Sequence, residues 1–202
     1  MAKLLIATFH EAEFAELAAH LAADGWEAVR PLESGASHVS YNQGGGTHRE
    51  QALKRAEAFA AAAGLPALAL ATALEVYALD KNPGLRTHEY AGPAASDAEH
   101  RAKLLNALRR VPVGQRIALF QASAALVVPG AARGRVTSST LECEVTMEER
   151  GEGGLLFDAV TQLNDRRTLA EMDDETRWRM GHRGMAMKQM AKHLAEVGQS
   201  MG

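Results

Sequence analysis

Hydrophobic and polar positions recur along the first part of the chain with two different periods, which is typical of a mixed α/β protein. An apolar run over residues 3–8 predicts a strand. From residue 11 to 23 apolar side chains return every three and four positions, which predicts an amphipathic helix. Residues 26–32 predict a second strand, and the Gly/Ser/Asn-rich stretch over residues 33–46 predicts a long loop.

Two segments have the pattern of a helix start, a Ser or Thr followed three residues later by Glu. Thr47-His48-Arg49-Glu50 predicts a capping box and a helix to Ala63, which Gly64 ends. Ser96-Asp97-Ala98-Glu99 predicts another capping box and a helix to about Arg110. Between these helices, the sequence predicts one or two strands over residues 66–79 and a turn at residues 82–84.

The remainder of the chain is predicted to be β-rich up to a last helix. The β-rich runs cover residues 116–128, 135–148 and 155–163, and a loop with Pro-Gly suits a hairpin between the first two. The last helix is predicted from about residue 183 to 197. Together the elements predict the α/β class.

Composition narrows the classes of partner. A chain of 202 residues with 47% apolar content can bury a normal core as one domain or as two closely packed lobes. Its single cysteine, Cys143, excludes an internal disulfide. A formal charge of -3 gives no basis for nucleic-acid binding, and no apolar run approaches the roughly 18 residues of a membrane helix. We therefore expect a cytoplasmic protein that binds small molecules or proteins, with no nucleic acid and no membrane partner.

Several short segments, in order along nearly the whole chain, resemble the inosine triphosphate pyrophosphatase family, which hydrolyses non-canonical purine nucleoside triphosphates. The resemblance implies a Maf/Ham-type fold with an elongated mixed β-sheet flanked by helices. It also implies a single domain over residues 1–202, with two lobes around a nucleotide cleft, and a homodimer. The segments are Leu5-Ile6-Ala7-Thr8, residues 46–52, Leu65-Pro66-Ala67, residues 83–92, residues 153–158 and residues 180–184.

The resemblance is best preserved at the end of the site that holds the purine base. The resemblance places Phe157 where family members stack an aromatic ring on the base. It places Asp158 where their aspartate accepts a hydrogen bond from a nitrogen of the purine ring. It places His182 and Arg183 where family members donate hydrogen bonds to the oxygen at position six of the purine. Such buried donors favour a keto oxygen over an amino group. The same residues also fit a plainer interpretation, in which His182 and Arg183 open the last helix and Asp158 ends a strand.

Four further positions bear on the same resemblance. Gly181 stands where the family has serine, and Leu155 where it often has phenylalanine. Arg55 and Arg177 fall near positions where the family uses lysine, which predicts some cationic lining for a phosphate. Arginines on helices are also commonly solvated surface groups.

The loop that the resemblance assigns to the phosphates departs from the family pattern Thr-Gly-Asn-x-x-Lys. Thr8 is retained, but Phe9 replaces the glycine that permits close backbone approach. Glu13 places a negative charge where the family has a positive one. A triphosphate therefore loses one attraction and gains one repulsion, and we expect it not to bind there in the usual pose.

The catalytic centre departs furthest. The resemblance implies two adjacent aspartates that hold magnesium and activate water, and these fall on Leu70 and Ala71. Neither side chain can ligate a metal or take a proton. No Asp or Glu lies within residues 65–74, so a small shift of the alignment does not restore the pair. Glu50 is the family acid that remains, and it equally fits as part of a helix cap.

Three interpretations of function follow. The favoured one is a diverged homologue that binds a purine nucleotide or derivative without the usual magnesium-dependent hydrolysis. The second is an active nucleoside triphosphate pyrophosphatase with Mg or Mn at relocated ligands, for which His10, Glu13 and Glu50 are the candidates. The third is a protein-interaction module that keeps only the fold.

Overall fold

A computed structural model describes residues 1–42 and 44–201, and it has the predicted mixed α/β architecture. Gln43, which belongs to the predicted loop, lies outside the described residues. The strands are β1 (Ala2–Ile6), β2 (Trp26–Val29), β3 (Ala67–Val76), β4 (Pro83–Gly84), β5 (Ile117–Val127), β6 (Arg135–Val145) and β7 (Thr161–Gln162). The α-helices are α1 (Glu11–Ala23), α2 (His48–Ala63), α3 (Asp97–Ala107), α4 (Asp174–Met180) and α5 (His182–Met201).

The strands form one mixed sheet flanked by helices, in the order β2-β1-β3-β5-β6-β7, with β4 beside β3. β1 is parallel to both β2 and β3, whereas β3 pairs with β4 and β6 with β7 in antiparallel fashion. The neighbouring positions of β5 and β6 agree with the predicted hairpin. Among the described residues, no helix is long and apolar enough to span a membrane.

The predicted helix starts are largely confirmed by the capping contacts. Ser96 and Glu99 form the full box, with Ser96 N 2.7 Å from the Glu99 carboxylate and Glu99 N 3.3 Å from Ser96 Oγ. At α2 only half of the box forms. Thr47 Oγ1 accepts from Glu50 N at 3.1 Å, but the Glu50 carboxylate accepts from Gly46 N at 2.8 Å.

The sequence-based prediction was wrong over residues 155–163. Only Thr161–Gln162 is a strand there, and a 3-10 turn covers Asp158–Val160. The apolar run is a buried loop, because Leu156 and Val160 pack into a core cluster instead of alternating between two faces of a sheet. The short helix α4 was also missed, since a helix of seven residues is too brief to show a clear apolar period.

The chain divides into two compact units. Unit 1 comprises residues 1–71, 123–138 and 186–202, and unit 2 comprises residues 72–122 and 139–185. In unit 1, a row of small alanines on α2 packs with Phe59 against β1 and β3. In unit 2, the core combines strand side chains with the buried loop around Phe157.

Arg116 is a polar centre inside unit 2 that no sequence pattern indicated. Its side chain is 1% exposed, and its guanidinium donates to three main-chain carbonyls. The distances are 2.9 Å from Nε to Val111 O, 2.7 Å from Nη1 to Thr146 O and 2.8 Å from Nη2 to Leu108 O. The planar fork therefore joins the segment after α3 to the segment after β6.

We expect Arg116→Lys to lower the free energy of unfolding by about 2 kcal/mol or more, because an ammonium cannot reach three carbonyls placed for a planar fork. Urea denaturation of the two proteins measures this difference. Arg110→Lys, at an exposed position near the end of α3, is the matched control and is expected to change little. Equal losses in both variants would contradict the structural role of Arg116.

Candidate functional site

Unit 2 brings Asp158 and Arg183 together as a buried ion pair. The distances are 2.6 Å between Arg183 Nη2 and Asp158 Oδ2 and 3.3 Å between Nη1 and Oδ1, and the side chains are 7% and 1% exposed. Leu155 N also donates to Asp158 Oδ2 at 2.9 Å. A buried carboxylate is tolerated only when it is paired and hydrogen-bonded, and these contacts meet that condition.

The Gly-Gly turn before Leu155 is required by the side chains packed on it. Gly154 has φ +79, and a Cβ there would collide with the Asp158 side chain. A Cβ on Gly153 would lie 2.5 Å from Arg177 Nη1. The two glycines therefore let the chain pass close beside one carboxylate and one guanidinium.

His182 is fully buried at the start of α5, beside this ion pair. Its ring stacks on Phe120, with 3.6 Å between centroids and 18° between planes. Burial, together with the charge of Arg183 and with His88, lowers the pKa of His182 well below 6.5. The imidazole is therefore neutral at physiological pH.

One contact of this neutral ring bears on its tautomer. Arg183 Nη1, which can only donate, lies 3.5 Å from His182 Nε2, and this contact fits the tautomer that has its hydrogen on Nδ1. Nδ1 is buried and has no hydrogen-bond partner within the described part of the chain. A buried donor without an acceptor is costly, and an acceptor atom from a ligand would satisfy it.

Phe157, which the family resemblance places against the base, is a core residue of unit 2. Its ring is 0% exposed and lies in the core of unit 2. Tyr90 and His100 approach it edge to face, with centroid distances of 6.5 Å and 6.3 Å. The stacking of Phe157 on a base, which the family resemblance implies, stays a prediction.

The connection between α4 and α5 explains the departure at Gly181. Gly181 N donates to Arg177 O at 2.7 Å, and a Cβ on Gly181 would lie 2.5 Å from the same oxygen. A serine therefore does not fit this turn as it stands. Arg177 itself is buried and donates from Nη1 to Met172 O at 2.9 Å and from Nη2 to Asp174, so it is held within its own unit.

In unit 1, Thr8 and Glu13 meet at the loop between β1 and α1. Thr8 Oγ1 donates to Glu13 Oε2 at 2.6 Å and accepts from His10 N at 3.1 Å. Thr8 and Glu13 are only 4% and 5% exposed. Phe9 is 44% exposed and tilts against Phe59 with a centroid distance of 5.7 Å. The threonine hydroxyl is thus occupied by a side chain of the protein itself.

The two positions expected for the acidic pair lie in β3 and carry apolar side chains. Leu70 and Ala71 are each 2% exposed. Arg55, from α2, donates from Nη1 to Leu70 O at 3.0 Å and from Nε to Tyr41 O at 3.0 Å. Its guanidinium lies 3.6 Å above the Tyr41 ring. The guanidinium of Arg55, which was predicted to line a phosphate site, therefore contacts two main-chain oxygens and the face of the Tyr41 ring.

These residues do not fit a divalent metal ion. Mg²⁺ prefers carboxylate and other oxygen ligands, and neither Leu70 nor Ala71 supplies a side-chain oxygen. The carboxylates of Glu13 and Glu50 accept hydrogen bonds from Thr8 and from Gly46 N. Among the residues that the structure describes, no group of three or more His, Cys, Asp or Glu could hold a metal, so His10, Glu13 and Glu50 are not brought together as one.

Several residues around the predicted site residues come from distant elements and show no sequence pattern. Phe120 in β5 stacks on His182, and Ser139 Oγ in β6 donates to His182 O at 2.5 Å. Tyr41 packs below Arg55. No motif surrounds these residues, because each acts through a partner far away in the sequence.

The comparisons with known proteins agree with the family resemblance. The model of the Ham1 family matches residues 4–193. A dITP/XTP pyrophosphatase of Geobacter sulfurreducens is 36% identical over 200 residues, which cover 98% of this chain and 99% of that protein. One from Geobacillus kaustophilus is 33% identical over 98% of this chain and 96% of its own length. The structure of a HAM1 protein from Coxiella burnetii has a TM-score of 0.82 at 29% identity and covers 97% of this chain and 100% of that chain.

The lowered pKa of His182 predicts how stability depends on pH. Above the ordinary value of 6.5 the ring is neutral in both the folded and the unfolded chain. As pH falls below 6.5, the unfolded chain takes up a proton that the folded site refuses, so stability falls by up to about 1.4 kcal/mol per pH unit. His182→Phe keeps the stacked ring and removes this loss.

Urea unfolding of wild type and variant at about pH 7.5 and about pH 5.5 measures the difference. The exposed His38→Phe is the control and should keep the slope of the wild type. An unchanged slope in His182→Phe would show that His182 does not titrate as its burial requires.

Proposed function

Because this chain belongs to the Ham1 family, we propose that it binds a purine nucleotide or a less charged purine derivative without the metal-dependent hydrolysis of a triphosphate. The proposal assigns base recognition to Asp158, His182 and Arg183 of unit 2. It extends to a homodimer in the cytoplasm, as the family resemblance implies. Sedimentation analysis of the purified protein tests the dimer.

The observation that carries base recognition is the buried Nδ1 of His182, which has no hydrogen-bond partner in the described chain and lies beside the carboxylate of Asp158, since both side chains contact Arg183. Hypoxanthine and xanthine present a keto oxygen next to a ring N–H. A buried donor and a buried acceptor match that edge, whereas adenine presents an amino group and a bare nitrogen, the opposite polarity.

Loss of the standard chemistry is supported by the side chains at Leu70 and Ala71 and by the use made of the charged groups around them. Arg55 donates to Leu70 O, and Glu13 accepts from Thr8. No carboxylate is left at the two positions to hold a metal or to orient an attacking water.

A second candidate is an active pyrophosphatase with relocated metal ligands. It is favoured by the name dITP/XTP pyrophosphatase that relatives 36% and 33% identical carry. In that case His10 and Glu50 are the residues to test. The two candidates differ in whether bound nucleotide is turned over.

We expect inosine monophosphate or inosine to bind the wild type at least about tenfold more tightly than the matching adenine compound, because only the keto edge satisfies both groups. Isothermal titration calorimetry measures this ratio. His182→Phe keeps the ring stacked on Phe120 but lacks the N–H, and should bring the ratio close to one. Equal affinity for the two bases in the wild type would contradict the assignment of the base site.

We expect no release of pyrophosphate or phosphate from inosine, xanthosine or standard nucleoside triphosphates with magnesium or manganese, because the acidic pair is absent. A verified Ham1 family enzyme under the same conditions is the positive control. Clear turnover that Glu50→Gln and His10→Ala both reduce would reject loss of catalysis and support relocated metal ligands.

A further inference from the structure

The loop of unit 2 that carries Asp158 contains one residue with an unfavourable backbone conformation. Leu156 has φ +50, in the left-handed region where a residue with a side chain pays a conformational cost that glycine does not. Its side chain is 6% exposed and packs in the core of unit 2. Such a conformation persists only where the surrounding structure holds it. The loop therefore needs contacts that fix Leu156 from outside.

Two side chains of α3 supply these contacts. Leu156 N donates to Asp97 Oδ2 at 2.7 Å, and Arg101 Nη1 donates to Leu156 O at 2.9 Å. Asp97 and Arg101 are four positions apart in α3, so their side chains leave one face of the helix. Both bonds involve a charged group, which makes them stronger than bonds between neutral groups. The helix thus binds both the main-chain donor and the main-chain acceptor of Leu156.

Arg101 is itself held in place by a second contact. Its Nε donates to the carboxylate of Glu149 at 2.7 Å, and its side chain is 18% exposed. Glu149 lies between β6 and the Gly-Gly turn, in the same loop as Leu156. The planar guanidinium can make both bonds at once, whereas an ammonium group lacks this fork. Arg101 therefore joins two points of the loop to α3.

The bonds to Leu156 act on Asp158 through the turn that contains both residues. Leu155 N donates to Asp158 Oδ2 at 2.9 Å, and Asp158 N donates to Leu155 O at 2.9 Å. A rotation about the backbone of Leu156 would separate Leu155 from both of these partners. It would also displace the carboxylate that is paired with Arg183 at 2.6 Å. The direction of the Asp158 carboxylate therefore depends on what holds Leu156.

We propose that Asp97 and Arg101 are positioning residues of the base site. From α3 they hold Leu156 in its left-handed conformation and thereby fix the direction of the Asp158 carboxylate. The ligand that gains from this is a keto purine nucleoside, because its ring N–H needs an acceptor in a fixed direction. The choice of a purine rests on the proposed function, whereas the support of the Leu155–Asp158 turn by α3 does not.

Amide hydrogen exchange of the protein without ligand, followed by NMR, tests the support of the turn. Asp97→Ala removes the acceptor at Leu156 N, and Arg101→Ala removes the donor at Leu156 O. We expect the Leu155 amide to exchange at least about tenfold faster in both variants than in the wild type, because the turn opens more often. Asp97→Asn keeps an oxygen that can accept from Leu156 N, and its rate should lie closer to the wild type than that of Asp97→Ala.

Glu99→Ala is the matched control for a loss of helix stability alone. The Glu99 carboxylate accepts from Ser96 N at 2.7 Å, so this variant weakens the cap of the same helix. Its Leu155 amide should exchange as in the wild type. Equal acceleration in Glu99→Ala, or no acceleration in Asp97→Ala and Arg101→Ala, would overturn the proposal.

A second arm measures the affinities for inosine and adenosine by calorimetry. The wild type should favour inosine at least about tenfold, and Asp97→Ala and Arg101→Ala should each reduce this ratio at least about threefold. Glu99→Ala should keep the ratio of the wild type. If the wild type discriminates and both alanine variants at positions 97 and 101 discriminate equally well, the two residues are merely structural and the positioning role is rejected. If the wild type does not discriminate, the proposed function fails, and faster exchange of the Leu155 amide still assigns Asp97 and Arg101 to the support of the turn.

Discussion

The buried ion pair between Asp158 and Arg183 is the interaction on which the arrangement of unit 2 depends. Burying two charges costs several kcal/mol for each ion unless geometry and extra hydrogen bonds compensate. Here Leu155 N supplies an extra bond to the carboxylate, and Gly154 leaves room for it. The same guanidinium helps keep His182 neutral. The charge pair thus contacts the loop through Leu155 N, and it adds to the effect of burial, which is the main reason that the pKa of the neighbouring ring is lowered.

Unit 1 contains two buried charged side chains that both have partners inside the protein. Glu13 binds Thr8, and Arg55 binds the main-chain oxygen of Leu70. Each charge is buried and has an internal partner. The acid of the β1–α1 loop and the cation next to β3 therefore both have hydrogen-bond partners inside unit 1.

The two units differ in how their buried polar groups are hydrogen-bonded. In the described part of unit 2, the buried side-chain nitrogens without a hydrogen-bond partner are Arg150 Nε, Arg177 Nε and His182 Nδ1, and His182 Nδ1 is the one next to the Asp158–Arg183 pair. In unit 1, Glu13 accepts from the Thr8 hydroxyl and Arg55 donates to main-chain oxygens. Fold and family membership do not decide between binding and catalysis, since function depends on the site.

The sequence by itself determined the α/β class, the family and the bounds of α1. These follow from apolar periodicity, capping pairs and short motifs, which are local properties of the chain. Only the tertiary structure decided that Phe157 is a core residue, that residues 155–160 form a loop, and that Phe120 stacks on His182. Burial and contacts between distant segments are set by packing of the whole chain, and a local pattern carries no information about which partner a side chain meets.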